Sequence, residues 1–251
     1  MSPEDYIYGI RAVIEAVKSG REIDKVFVKR ELTGENASEL MELLREYRIP
    51  FKKVPIEKLN RLTRGNHQGV VAILSAITYH NIEHVVPALY EEGRLPFLLI
   101  LDGITDVRNF GAIARTAECV GVDAIVIPEN GSVSVGADAV KTSAGALLKI
   151  PVCRVHNLAH TVTWLEENGY NLVAVSEKAS TNYTEADYTI PTALVMGAED
   201  TGISPHIFKA CSTKVAIPMF GDIGSLNVSV AAGVLMYEVV RQRLLANLEV
   251  I

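Results

Sequence analysis

Three short polar stretches hold side chains suited to chemistry, and each follows an apolar run. Asn109 lies in DGITDVRNFG (102–111) and Arg115 just beyond it; Glu199 lies in GAEDTGIS (197–204); Ser225 and Asn227 lie in the glycine-containing stretch 218–229. An arginine can hold a phosphate or a developing oxyanion, a carboxylate can anchor backbone amides, and amides and hydroxyls can orient a sugar. Each residue also has a plainer reading. Arg115 is either a solvated surface arginine or one turned inward; Asn109 is either the cap of a helix beginning near Phe110 or a site group. Glu199 is either a solvated loop carboxylate or an acid at a helix N-terminus, and Ser225 and Asn227 are helix-start groups on composition alone. Their shared placement argues for one site, because parallel sheets bind ligands outside the carboxyl ends of their strands.

The elements that must position these loops follow a βα rhythm. Phe97–Leu101 (FLLIL), Ala124–Ile127 and Ala193–Met196 are almost wholly apolar, as expected of parallel strands buried on both faces. Val152–Val155, Asn171–Val175 and Val215–Ile217 are read as further strands, with helices over 112–120, 137–146 and 160–167 and a long closing helix that ends the stretch 217–243. The expected fold class is α/β with a parallel sheet. Ahead of it, helical spacing over Tyr6–Lys18, strands at Lys25–Lys29, Pro50–Val54 and Val70–Leu74, and helices at 38–46 and 56–62 suffice for a small α/β domain. The expected boundaries are a front domain at 1–76, a linker at 77–95 within a stretch whose prolines are Pro87 and Pro96, and a second domain at 96–251.

The chain has 251 residues, 49% of them hydrophobic and 22% charged, which allows a sizeable core. No basic region followed by an apolar run opens the sequence and no stretch approaches a membrane span, so neither a secretory signal nor a membrane segment is expected, and the location is read as cytoplasmic. Cys119, Cys153 and Cys211 match no zinc spacing and suit a reducing compartment; each is read as a small buried hydrophobe, and no metal site is expected. A net charge of −6 disfavours general, salt-driven nucleic-acid binding, but residues 1–80 hold 13 Lys and Arg against 11 Asp and Glu. The front third is therefore the better candidate for touching a polyanion. Its loop RGNHQG offers Arg64, Asn66, His67 and Gln68, either as a glycine-bounded turn or as donors to an RNA backbone or base edge.

No GxGxxG follows a strand, and GxxxxGK[ST] and GxSxG are absent. A dinucleotide fold, a phosphate-loop NTPase and an α/β-hydrolase triad therefore have no starting point, and a nucleotide-dependent metabolic enzyme is disfavoured.

At the three loops the sequence resembles the SpoU/TrmH family of RNA ribose 2′-O-methyltransferases. The resemblance rests on DGITDVRNFGAIARTAECVG (102–121), LVMGAEDTGIS (194–204) and IPMFGDIGSLNVSVAAGVLMYEVVRQR (217–243), in the family's order and spacing. YGIRAVIEAV and RGNHQGVVA resemble the family's small substrate-binding domain, similar to L30e/L7Ae-type ribosomal-protein modules. Within the family the pattern is most similar to enzymes that methylate a guanosine ribose in the peptidyl-transferase loop of 23S rRNA. Val107-Arg108 varies where relatives often carry Pro and a basic or polar residue.

The resemblance implies a C-terminal deep trefoil knot and a homodimer formed through the knotted domain. It implies S-adenosylmethionine as cofactor, with S-adenosylhomocysteine as product. The implied cofactor pocket comprises Val195, Met196, Gly197, Glu199, Ile217, Pro218, Met219, Leu226 and Asn227. Arg115 carries the family's key arginine and is expected to act electrostatically or through an RNA phosphate. Asn109, Ser225 and Asn227 are expected to hold the ribose and the loop, and Glu199 to organise the pocket through backbone amides or Arg115. Arg108 is a further RNA contact. The competing expectations are the same reaction on another RNA such as tRNA, or a noncatalytic RNA-binding or ribosome-assembly protein.

Overall fold

The computed structural model describes residues 6–246. The outer ends of the two expected domains, residues 1–5 and 247–251, lie outside the described residues. The chain divides into two compact units, one of residues 1–78 with 134–137, the other of 79–133 and 138–251.

The first unit is a four-stranded sheet with three helices. Its strands are β1 (Tyr6–Tyr8), β2 (Ile23–Lys29), β3 (Phe51–Val54) and β4 (Val70–Leu74), in the order β1-β4-β2-β3. Its helices are α1 (Ile10–Lys18), α2 (Glu35–Glu46) and α3 (Ile56–Leu62). The alternation of β4 divides the core: Val70 and Ala72 pack with Val13, Val17, Leu40 and Leu44 of α1 and α2, while Val71 and Ile73 pack with Leu59 of α3. The single helix expected over Tyr6–Lys18 is instead a strand and a helix. Gly9, at φ 94°, breaks them, and β1 pairs antiparallel with β4.

The second unit is an eight-stranded sheet in which every pairing is parallel. In chain order its strands are β5 (Tyr79–His80), β6 (Phe97–Asp102), β7 (Ala124–Pro128), β8 (Val152–Val155), β9 (Asn171–Val175), β10 (Thr181–Asn182), β11 (Thr192–Gly197) and β12 (Thr213–Ala216). The spatial order is β10-β12-β9-β11-β6-β7-β8-β5. Helices α4 (Ile82–Glu91), α7 (Leu158–Glu167) and α8 (Pro205–Ala210) cover one face, where they pack on Leu98, Ile100, Val126, Leu172 and Val195. On the other face α5 (Val107–Cys119) packs along α9 (Val228–Leu245). The short α6 (Ala137–Thr142) ends before a separate 3₁₀ turn at Ala146–Leu148, where one helix over 137–146 was expected; Ala144 and Gly145 both sit at positive φ.

Residues 77–95, read from sequence as a linker, contain β5 and α4, and Ile82, Val86 and Leu89 join the core of the second unit. Cys119 corrects another expectation. It is exposed at the end of α5, whereas Cys153 and Cys211 are buried, which pushes both thiols up to about 12.

Candidate active site

The polar loops gather at the carboxyl ends of β6, β9, β11 and β12. β6 ends in Asp102, whose Oδ2 accepts the Ser204 N–H at 2.6 Å and so ties the loop after β11 to the end of β6. Four residues on, Asp106 caps α5 by accepting the N–H groups of Arg108 (2.9 Å) and Asn109 (2.8 Å). The cap expected at Asn109 therefore falls on Asp106. This leaves the Asn109 side chain free, and its Oδ1 accepts a hydrogen bond from Asn227 Nδ2 at 3.0 Å.

The loop after β11 folds back sharply. Gly202 N–H donates to Ala198 O at 2.8 Å, and Gly202 sits at φ 68°. A Cβ on Gly197 would lie 2.1 Å from the Gly202 carbonyl carbon and 2.2 Å from Ile203 N, so only glycine fits there. The fold-back presents Glu199, whose Oε1 accepts from Asn227 Nδ2 and, at 3.3 Å, from the Val228 N–H. The carboxylate thus meets the N-terminus of an 18-residue helix, where an anion is favoured. Asn227 is the N-cap of that helix. Its Oδ1 accepts the Ser229 N–H at 3.0 Å and the Ser229 hydroxyl, so both ends of one amide are used. Asn109 from the first turn of α5, Glu199 from the loop after β11 and Asn227 from the N-cap of α9 form one hydrogen-bonded group.

Beside this group lies a cleft of about 220 Å³. Met196, Ile217, Met219 and Leu226 supply its apolar lining, and Gly197, Glu199, Ser225 and Asn227 also face it. Of the residues expected in the cofactor pocket, Val195 is fully buried within β11 and, like Pro218, does not line the cleft. A neighbouring cavity of about 470 Å³ shares Glu199 and Ser225 with it. Both spaces are also lined by Ser176 and Glu177, which follow β9 and which the sequence reading passed over. The rule that singled out the other loops, a polar stretch after a buried parallel strand, applies equally to them. An apolar wall beside acceptor-rich polar groups fits an adenosyl group joined to a cationic end.

Arg115 takes no part in the hydrogen-bonded group. It is exposed on α5, six residues and about 9 Å along the helix from Asn109. Ser225 is exposed, and no hydrogen bond ties it to another described residue; Arg108 is likewise exposed. In the first unit the RGNHQG loop separates its four candidates. His67 is only 8% exposed; its Nδ1 accepts the Gly69 N–H at 2.9 Å, so Nε2 carries the proton and donates to Asn60 Oδ1 at 2.9 Å. Both ring nitrogens are spent on the loop itself, contrary to the expectation that His67 offers a donor outward. Arg64, Asn66 and Gln68 are exposed, with Gln68 Oε1 accepting the Ile10 N–H at 3.3 Å. Among the described residues no group of three His, Cys, Asp or Glu side chains is placed to hold a metal, and no helix is long and apolar enough to cross a membrane.

Residues 96–237, which include the whole site, match the model of the SpoU rRNA methylase family. The chain belongs to that family. Residues 6–80 match the family's RNA 2′-O-ribose methyltransferase substrate-binding domain. The Bacillus subtilis protein YacO, named for the TrmH family of tRNA/rRNA methyltransferases, is 39% identical over 95% of this chain and 96% of its own length. The SpoU methyltransferase AviRb from Streptomyces viridochromogenes, solved in complex with AdoMet, superposes with a TM-score of 0.61 at 26% identity, covering 95% of this chain and 90% of AviRb. The A. aeolicus TrmH/SpoU tRNA modifying enzyme superposes with a TM-score of 0.56 at 31% identity over 66% of this chain and 85% of its own. The SpoU/TrmH proteins are RNA 2′-O-ribose methyltransferases that use S-adenosylmethionine.

Proposed function

We propose that this chain methylates the ribose 2′-hydroxyl of a guanosine in 23S rRNA. The observation that carries the reading is the group formed by Asn109, Glu199 and Asn227 beside a cleft suited to an adenosyl ligand. Met196, Gly197, Ile217, Met219, Leu226 and Asn227 would hold S-adenosylmethionine, with Val195 buried behind them in β11 and the exposed Pro218 joining Ile217 to Met219. When bound, that cofactor supplies a methyl group on a sulfonium leaving group, so the protein's task is chiefly alignment and proton removal.

Glu199 fixes Asn227, and Asn227 fixes Asn109, so the amide groups are ordered before RNA arrives. The exposed Ser225 hydroxyl and the Asn109 amide orient the ribose. The Arg115 guanidinium, exposed and without a hydrogen bond among the described residues, is available to an RNA phosphate or to the alkoxide as the 2′-hydroxyl loses its proton. A guanidinium offers donors and no acceptor, so its role is electrostatic and not that of a free base. Residues 1–76 would select the RNA through Arg64, Asn66 and Gln68, with His67 holding the loop in shape, and Arg108 would add a contact near the site. RNA recognition by loop shape and exposed base edges is compatible with a net charge of −6.

The proposal extends to the assembly. Val230, Tyr237 and Leu244 recur every seven residues on α9 and are 52%, 57% and 60% exposed. A helix apolar on its outer face as well as its inner one suits a second copy of the chain. A C-terminal knot and a cytoplasmic location complete the reading.

The test is methyl transfer from labelled S-adenosylmethionine to separated rRNA and tRNA from a strain lacking the gene, with the modified ribose mapped. A labelled guanosine in 23S rRNA is the expected result. Label confined to tRNA moves the reading to the second substrate, which the A. aeolicus relative's description as a tRNA modifying enzyme favours. No label in either RNA sinks the enzymatic reading.

A further inference from the structure

Glu177 is the one carboxylate that lines both cavities and has no hydrogen bond or ion pair among the described residues. It is exposed just past β9, the strand next to β11. The other carboxylate shared by the two spaces, Glu199, is already committed to Asn227 and Val228. An ionised carboxylate only accepts hydrogen bonds, so what it binds must bring donors. An adenosyl cofactor offers three sets: the adenine amino group, the vicinal ribose hydroxyls and the α-ammonium. The apolar side chains Met196, Ile217, Met219 and Leu226 form the surface for the adenine ring. The ribose links that ring to the sulfur, whose methyl must face the Asn109 and Asn227 side. A pair of adjacent hydroxyls matches the two oxygens of one carboxylate, and an acidic residue beyond a parallel strand meets a ribose in this way in dinucleotide-binding sheets.

We infer that the Glu177 carboxylate accepts hydrogen bonds from the vicinal ribose hydroxyls of the adenosyl cofactor, which makes it a binding residue of the cleft. The inference rests on the reading of the cleft as the cofactor site. Ser176 supports the geometry: its hydroxyl oxygen accepts the Lys178 N–H at 3.3 Å and so shapes the turn that carries Glu177.

The test is calorimetric binding of S-adenosylhomocysteine, and of its 2′-deoxy and 3′-deoxy analogues, to the full-length protein and to Glu177→Ala. The substitution should weaken S-adenosylhomocysteine about tenfold, in the range of a hydrogen bond to a charged group. Each deoxy analogue should bind more weakly than the parent to the unsubstituted protein. The same substitution should change each analogue's affinity less than the parent's, because one of the two partner hydroxyls is already missing. Unaltered affinity for S-adenosylhomocysteine in Glu177→Ala overturns the inference. An equal loss for parent and analogues also overturns it and assigns Glu177 to a donor that all three ligands retain, the α-ammonium or the adenine amino group. Failure of the unsubstituted protein to bind S-adenosylhomocysteine sinks the cleft reading as well, a result distinct from a failure confined to Glu177. Equal melting temperatures without ligand separate lost binding from lost fold.

Discussion

At its N-terminal end α9 meets Glu199 and Asn109 through Asn227, beside residues 221–227, all of which are exposed. Sixteen positions along, near its C-terminal end, Arg243 is only 3% exposed, and its hydrogen bonds all go to backbone carbonyls. Its Nη1 donates to Leu95 O at 2.8 Å, its Nη2 to Pro96 O at 3.1 Å and Ile190 O at 3.3 Å, and its Nε to Tyr188 O at 3.1 Å. These carbonyls precede β6 and β11, the two central strands whose opposite ends carry the site. One helix thus clamps the sheet at the edge away from the cleft and presents side chains at the edge beside it. The clamp is buried and makes four hydrogen bonds; the site is open, with acceptors and hydroxyls to spare. Stability and function are separated along about 25 Å of one helix.

Arg243→Met tests the clamp and carries the largest expected effect. Burial lowers the Arg243 pKa to about 10, which still leaves the guanidinium charged at neutral pH. Removing it leaves the Leu95 and Tyr188 carbonyls without a partner, while Pro96 O keeps the Thr192 N–H and Ile190 O the Thr192 hydroxyl, so unfolding free energy should fall by about 2–4 kcal/mol. Urea unfolding measures the loss, and S-adenosylhomocysteine affinity of the folded fraction should stay unchanged. A loss under about 1 kcal/mol would show that the clamp is ornamental to the sheet.

Asn227→Ala tests the other end. It removes an N-cap and the bridge between Asn109 and Glu199, so stability should drop by only about 1 kcal/mol. Methyl transfer at saturating RNA should fall by about 100-fold, since misplaced reacting groups lose orientation. Activity falling no more than stability predicts would break the contrast between the two ends. Arg115→Ala sharpens it differently: an exposed side chain with no structural hydrogen bond should leave the melting temperature unchanged while activity falls. Near-normal transfer in that variant would remove Arg115 from the mechanism.

The two ends were unequally legible in the sequence. FLLIL announces a strand buried on both faces, and polar loops after such strands locate the site without coordinates. Yet Asp106 and Asn109 are both good caps three residues apart, and composition does not choose between them. Asp106 prevails because one carboxylate satisfies two N–H groups, which releases Asn109 for the site. Glu177 has the ordinary look of a solvated loop acid until β9 is seated between β11 and β12. His67 has two nitrogens that read as outward donors until Asn60 and Gly69 are seen to occupy them. Arg243 was invisible: a basic residue in a final helical turn reads as exposed compensation of the helix dipole. Its partners lie 53–55 and 147–148 residues away in sequence, and no local pattern reports such distances.

A smaller effect refines the clamp. One turn before Arg243, Glu238 accepts Arg241 Nε and Nη2, both at 2.7 Å, and Gln242 Nε2 at 2.9 Å. Gln242 in turn accepts the Tyr188 N–H at 3.1 Å, so this network backs the residue whose carbonyl Arg243 binds. The hydrogen bond from Arg241 is the main influence holding the Glu238 carboxyl below its ordinary value. Because the folded-state pKa is depressed, the unfolded chain binds the proton more readily in the acid range. The stabilisation from Glu238 is therefore present above the ordinary glutamate pKa and is lost as pH falls through the depressed one. Glu238→Gln should lower stability modestly at pH 7, and the gap from the unsubstituted protein should narrow as pH falls below the ordinary glutamate value and close below the depressed one, as urea melts across pH would record. A gap independent of pH would assign the role of Glu238 to packing, leaving Arg243 as the charged member of the clamp whose loss the sheet feels.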